Sequence, residues 1–121
     1  EYIHLHKTGA LLKACVRTGA MIAGADTKML EALTKYARGI GLAFQIIDDI
    51  LDVTSNSEIL GKTAGKDLLA DKTTYPKLLG LEESKRRALT LVKNAKEAIM
   101  PWGEDAICLI ALADFITNRD R

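Results

Sequence analysis

Apolar residues recur three and four apart at Leu30, Leu33, Ala37, Ile40, Phe44, Ile47 and Leu51, the spacing of a helix-packing seam. Leu42, Ile46 and Val53 fill most of the remaining circumference, so the helix predicted over residues 27–53 is buried nearly all round and spans roughly 40 Å. Asp26 or Thr27 can cap its start. The pattern predicts a preceding helix over residues 3–23, ended by Gly24-Ala25-Asp26. Thr54-Ser55-Asn56-Ser57 reads as the stop of the long helix, followed by a loop rich in Gly, Lys and Asp to about residue 73. Thr74-Tyr75-Pro76 restarts helix, with proline suited to a first turn. Beyond Gly80 a more polar helix covers residues 81–100; Pro101-Trp102-Gly103 makes a turn, and a last helix runs over 104–118. No stretch alternates as a strand does. The expected fold class is therefore all-α: one domain, residues 1–121, built as an antiparallel helical bundle of four to five helices. Gly39 and Gly41 weaken the long helix, and their value is the close approach of a neighbouring helix or a ligand.

One feature contradicts this apolar pattern. Phe44-Gln45-Ile46-Ile47-Asp48-Asp49-Ile50-Leu51-Asp52 sets three carboxylates among isoleucines and leucine. Charge in an apolar setting is costly unless a cation or strong donors answer it, and a hard divalent metal is such a cation. At about 100° per residue, Asp48 and Asp52 lie within roughly 40° of each other on the helix, with Gly41, Gln45, Arg38 and Asp49 on the same broad stripe. That stripe reads as one wall of a cavity. Acidic triples also occur on solvated faces, but these are flanked by Ile-Ile and Ile-Leu rather than by Lys and Glu, which favours metal or phosphate work.

Composition narrows the partners. The chain has 121 residues, 48% of them hydrophobic and 27% charged, with a net charge of +1, so there is no global pull toward nucleic acid or an acidic membrane. No apolar run approaches the ~20 residues of a membrane span, and no secretory or transit signal is visible. Glu1 already looks helical, which suggests a piece of a longer protein. Cys15 and Cys108 lie far apart in separate helical patterns and read as core thiols. His4 and His6 point about 160° apart on a helix and do not suit joint metal ligation.

Gly61-Lys62-Thr63 invites a P-loop reading, which fails because position 56 is Asn56 and a long helix, not a strand, precedes it. A weaker expectation survives: Lys62, Lys66 and Lys72, on a glycine-bearing loop after the carboxylate helix, could close over a phosphate-bearing ligand. A solvated loop would look the same. Asn56-Ser57-Glu58 carries no metal motif, since three adjacent residues cannot share a helix face.

Lys7-Thr8, then Phe44-Gln45-x-x-Asp48-Asp49-x-x-Asp52, then Gly61-Lys62, Asp67 and Asp71-Lys72-Thr73-Thr74-Tyr75-Pro76 resemble, in order and spacing, the C-terminal half of a trans-prenyl diphosphate synthase. The wording Glu1-Tyr2-Ile3-His4-Leu5-His6-Lys7-Thr8 and Asp71-Lys72-Thr73-Thr74-Tyr75-Pro76-Lys77-Leu78-Leu79-Gly80 most resembles the plant-type geranylgeranyl diphosphate synthases. The resemblance covers essentially the whole chain and implies the C-terminal part of the isoprenoid synthase fold. It implies Mg²⁺-dependent condensation of isopentenyl diphosphate with an allylic diphosphate in isoprenoid biosynthesis. It names Asp48 as the leading metal ligand, with Asp49 and Asp52 in support. Lys7, Lys62 and Lys72 would bind the allylic diphosphate, Thr8 and Gln45 would orient it, and Asp48, Lys7 and Gln45 form the expected catalytic set. On the residues alone, Gln45 is equally a buried hydrogen-bonding side chain and Phe44 a core residue.

The family's first aspartate-rich motif and its isopentenyl diphosphate ligands belong to an N-terminal half not found in these residues, so the chain alone is expected to be inactive. The alternative expectation is a truncated, non-catalytic paralogue that docks on and modulates a full-length synthase; a ligand-free helical scaffold is a third. Family members pair through helices, which implies a homodimer or a heterodimer with a related subunit. The plant-type wording implies a plastid, and otherwise the cytoplasm.

Overall fold

The computed structural model describes residues 8–60 and 74–119, the backbone alone over 55–60. Helix α1 spans Thr8–Ile22, α2 Thr27–Leu60, α3 Tyr75–Leu79, α4 Leu81–Ile99 and α5 Ile107–Asn118, with a 3₁₀ stretch, Met100–Ala106, between the last two. There is no strand among the described residues. The expected start of the first helix over 3–7 and the lysine-bearing loop over 61–73 lie outside them.

The fold is organised around α2, whose glycines admit a neighbour on each side. A Cβ on Gly41 would stand 2.8 Å from the Gly9 Cα of α1; one on Gly39 would meet Ala95 Cβ at 3.0 Å and the Leu91 carbonyl oxygen at 3.1 Å on α4. Two residues apart means roughly 160° apart around the helix, so α1 and α4 pack on opposite sides of α2. The chain turns from α1 to α2 through Gly24 at φ 76°, and of the two candidate caps Asp26 is the one used: its Oδ1 accepts the Met29 N–H at 2.7 Å.

Between these helices lie two apolar clusters. In one, Tyr36, Ala37, Ile40 and Ala43 of α2 meet Val92, Ala95 and Ile99 of α4, closed by Ala106, Ala113 and Ile116. In the other, Leu42, Ile46, Ile47 and Ile50 pack with Tyr75 and Ala88. The predicted seam is buried at Ile40 and Ile47 and half-buried at Leu33, Phe44 and Leu51. Tyr36 donates its hydroxyl to the Leu109 carbonyl at 2.7 Å, and Lys96 pairs with Asp114 at 2.6 Å, so α5 is tied to both α2 and α4.

Three expectations are corrected. Helix α2 does not stop at residue 53: Thr54 turns its hydroxyl back to the Ile50 and Leu51 carbonyls at 3.0 and 3.2 Å and stays within the helix, which runs to Leu60. The last helix starts at Ile107 rather than 104, because the 3₁₀ stretch Met100–Ala106, with Pro101 in its first turn and a kink at Gly103, φ 55°, comes between. Cys15 and Cys108 are exposed thiols, on faces of α1 and α5 turned away from the core.

Two outcomes follow for stability. Gly41→Ala should destabilise the fold despite a gain of about 1 kcal/mol in helix propensity, since overpacking against backbone costs about 1–3 kcal/mol. Gly19→Ala, in α1 with nothing within 4 Å, should stabilise by up to about 1 kcal/mol. Urea unfolding of both variants checks this; shifts of the same sign would mean that the helices do not approach at Gly41.

Burial pushes the Tyr36 hydroxyl from its ordinary 10 up to about 12. The folded state favours the neutral phenol, so this stabilisation is complete below pH 10 and is lost as the pH climbs from about 10 to 12. Tyr36→Phe should cost about 1 kcal/mol at neutral pH through the lost hydrogen bond. Its unfolding curves should converge with those of the parent above pH 10, and a gap that stays constant to pH 11.5 would contradict the assignment.

Candidate active site

The carboxylates of α2 divide according to direction. Asp48 is half-buried, its side chain 39% exposed, and both of its oxygens are engaged: Gln45, almost one turn earlier, donates Nε2 to Oδ2 at 3.3 Å, and Arg119 pairs with Oδ1. Asp52, one turn later on the same side, is exposed. Asp49 points about 100° away from Asp48 and is buried, 4% exposed; its Oδ2 accepts the backbone N–H of Tyr75 at 3.0 Å. Tyr75 is the first residue of α3, whose N-cap Thr74 makes no side-chain cap bond. Asp49 therefore caps α3 from across the fold, holding the point where the chain re-enters beside α2.

The side chain of Arg119, just past α5, is only 15% exposed and lies over the Phe44 ring, 4.1 Å from its centroid. Nη2 also approaches the Phe44 carbonyl at 3.4 Å. Thr8, half-buried, stands at the α1 end beside Gly9 and hence near Gly41, one turn before Gln45. Further back along α2, a cavity of about 270 Å³ between α1 and α2 is lined by Arg17, Glu31, Thr34, Lys35 and Arg38, with Arg17 Nη1 donating to Thr34 Oγ1 at 2.6 Å.

The structure thus brings Gln45, Asp48 and Asp52 to one stripe, places Thr8 at its α1 side, and turns Asp49 into the protein. Lys7, Lys62 and Lys72 lie outside the described residues. Among the described residues no three acidic, His or Cys side chains converge as a closed metal cage. The donor set nonetheless suits one cation, because Mg²⁺ is ordinarily held by one or two carboxylates plus phosphate oxygens and waters rather than by a protein cage. Sequence reading missed Arg119, which sits 71 residues from Asp48 with no local spacing to signal it, and the capping role of Asp49, which depends on where α3 docks.

An all-α bundle with a carboxylate stripe on its central helix defines the architectural class, and comparison with known proteins supplies the family. The polyprenyl synthetase family model matches residues 1–101. The chain belongs to that family. It is 56% identical over 120 residues to a geranylgeranyl diphosphate synthase of Cyanophora paradoxa, covering 99% of this chain and 40% of that protein. It is 52% identical over 120 residues to the chloroplastic large subunit 1 of a heterodimeric geranylgeranyl pyrophosphate synthase of Arabidopsis thaliana, covering 98% of this chain and 32% of that one. Among solved structures, a candidate farnesyl-diphosphate synthase from Marinomonas sp. MED121 superposes with a TM-score of 0.79 at 40% identity, over 97% of this chain and 38% of that chain. The fold is the isoprenoid synthase fold, and the chain spans about a third of the length of the relatives it matches.

Removing the Asp49 cap should be felt locally and globally. Asp49→Ala strands the Tyr75 amide at a cost of about 1–3 kcal/mol, with faster hydrogen exchange at that amide. Asp49→Asn keeps an acceptor oxygen and should recover most of the loss. Parent-like exchange and stability in Asp49→Ala would remove the capping role.

Proposed function

We propose that the protein carrying this chain is a Mg²⁺-dependent prenyltransferase of the geranylgeranyl diphosphate synthase type, which joins an allylic diphosphate to isopentenyl diphosphate. The observation that carries this reading is the placement of Asp48 and Asp52 on one stripe of the apolar stretch 40–53 of α2, with Gln45 bonded to Asp48. Membership of the polyprenyl synthetase family supports it. The plastid is the proposed compartment and a related synthase subunit the proposed partner, both resting on the chloroplastic heterodimeric relative.

In the condensation the allylic C–O bond breaks and the diphosphate leaves with the electron pair. The isopentenyl double bond attacks the allylic cation, and a proton is lost from the new carbocation. Bound Mg²⁺ would supply positive charge at the departing oxygen. Asp48 and Asp52 are the residues proposed to hold it, Asp48 foremost. Gln45 keeps Asp48 oriented and presents an amide dipole beside it. Lys7, Lys62 and Lys72 are proposed as point charges on the diphosphate oxygens, with Thr8 as a hydrogen-bonding neighbour. Asp49 serves the site indirectly, through the anchor at Tyr75. Phe44, one turn before Asp48 and under Arg119, is the apolar side chain proposed to help keep water from the cation.

A second reading, a non-catalytic subunit that docks on and modulates a full synthase, draws on the exposed Ile107, Leu112 and Phe115 of α5. Both are tested by assaying the 121-residue chain alone, then a chimera in which a full-length relative carries it in place of its matching stretch. The chain alone should form no longer prenyl diphosphate and the chimera should. In the chimera Asp48→Ala should lower kcat by about 100-fold or more, the scale of lost metal charge stabilisation. Its stability should fall by about 1–3 kcal/mol, because the pair it breaks leaves the largely buried Arg119 without its anion. Near-parent turnover would make the stripe structural, and an inactive chimera that tightly binds the intact relative would favour the second reading.

A further inference from the structure

Arg119 is held in an unusual way. Its side chain is 15% exposed and stacked on Phe44, yet a single nitrogen, Nη2, makes its contacts with Asp48 Oδ1 and with the Phe44 carbonyl oxygen. The guanidinium Nε is buried with no acceptor among the described residues. Arginine–carboxylate pairs frequently engage the planar fork through two parallel bonds. Here Nη2 is used while Nε, on the same edge of the guanidinium, waits inside the protein. A buried donor without a partner is costly, so the arrangement points to an acceptor that arrives later.

Asp48 cannot serve two cations equally. With Gln45 on Oδ2 and Arg119 on Oδ1, each oxygen still has a lone pair to offer, but a divalent cation binding there meets the guanidinium charge at close range. Gln45 is neutral and loses little; Arg119 carries the competing charge. Once displaced, the guanidinium keeps its Phe44 ring but has lost its anion. An oxyanion delivered with the metal, next to Asp48, would fill both that vacancy and the idle Nε–H.

We infer that Arg119 is a positioning residue that occupies Asp48 in the metal-free state, yields it to Mg²⁺, and then pairs with the phosphate oxygens that the metal brings. This inference rests on the reading of Asp48 as a metal ligand. It makes metal and diphosphate bind cooperatively: the metal frees the arginine, and the anion re-engages it. Energetic coupling between two ligands acts equally in both directions.

The test uses the full-length chimera and two calorimetric titrations, one with Mg²⁺ alone and one with inorganic diphosphate in excess Mg²⁺. Arg119→Gln should bind Mg²⁺ alone about five-fold more tightly than the parent, and inorganic diphosphate about five-fold or more weakly, within the usual range of coupling. Arg119→Lys, which keeps the charge without the fork, should fall between them in both titrations. Opposite shifts are the signature, since a loss of packing alone would weaken both. Unchanged or weaker Mg²⁺ binding in Arg119→Gln overturns the inference, as does unchanged diphosphate affinity. Asp48→Ala separates the two levels. If it abolishes Mg²⁺ binding while Arg119→Gln has no effect, only the arginine's role falls; if Mg²⁺ binding ignores Asp48, the metal reading falls and this inference with it.

Discussion

Everything in this fold depends on how closely two helices can approach α2. Gly41 lets the α1 backbone come within 2.8 Å of where a side chain would stand, and Gly39 receives Ala95 of α4 on the far side. With neighbours seated on both sides, α2 has no freedom to turn about its axis. Its rotational setting decides which residues face the core and which face the candidate site. A turn of the helix by one residue's worth, about 100°, would bury Asp48 and bring Asp49 outward. Glycine weakens a helix by about 1 kcal/mol; two of them within three residues are a local loss that packing converts into a fixed orientation.

That orientation explains how carboxylates persist in an apolar helix. Asp48 has a guanidinium and an amide, Asp49 has a backbone N–H, and Asp52 reaches the exposed side. Neighbours in sequence thus have separate physical tasks. Asp49 belongs to folding, as a cap for α3, whereas Asp48 belongs to the stripe. The same hundred-degree step that separates them keeps their charges from crowding one environment.

Much of this was legible in the sequence because it is local. Helical period, the Gly24, Gly80 and Pro101 breaks, the close approach at Gly39 and Gly41, and the shared stripe of Gln45, Asp48 and Asp52 follow from a repeat of 3.6 residues and the stereochemistry of glycine. What was not legible depends on tertiary context. Thr54 resembles a helix stop until its hydroxyl is seen folding back on Ile50. Cys15 and Cys108 fit the composition of a core yet lie on outward faces. Arg119 reads as one more charge near the end of a polar stretch, and only the docking of α5 brings it to Phe44. The aspartate run signalled its chemistry by conflict with its surroundings, whereas a cap formed across 26 residues leaves no such mark.

The bond from Asp49 to Tyr75 also bears on the order of assembly. It closes a ring of chain 26 residues around. Closing such a ring costs on the order of 3 kcal/mol in chain entropy, by the logarithmic dependence on loop length. A hydrogen bond to a carboxylate returns about 1.5–3 kcal/mol net. The contact therefore cannot nucleate its own loop. The two figures roughly cancel, so the contact depends on the packing of α4 against α2 to hold Tyr75 near Asp49. A contact made after the rate-limiting step changes the lifetime of the native state more than the rate of folding, and on that reading Asp49 acts as a clasp on a finished structure.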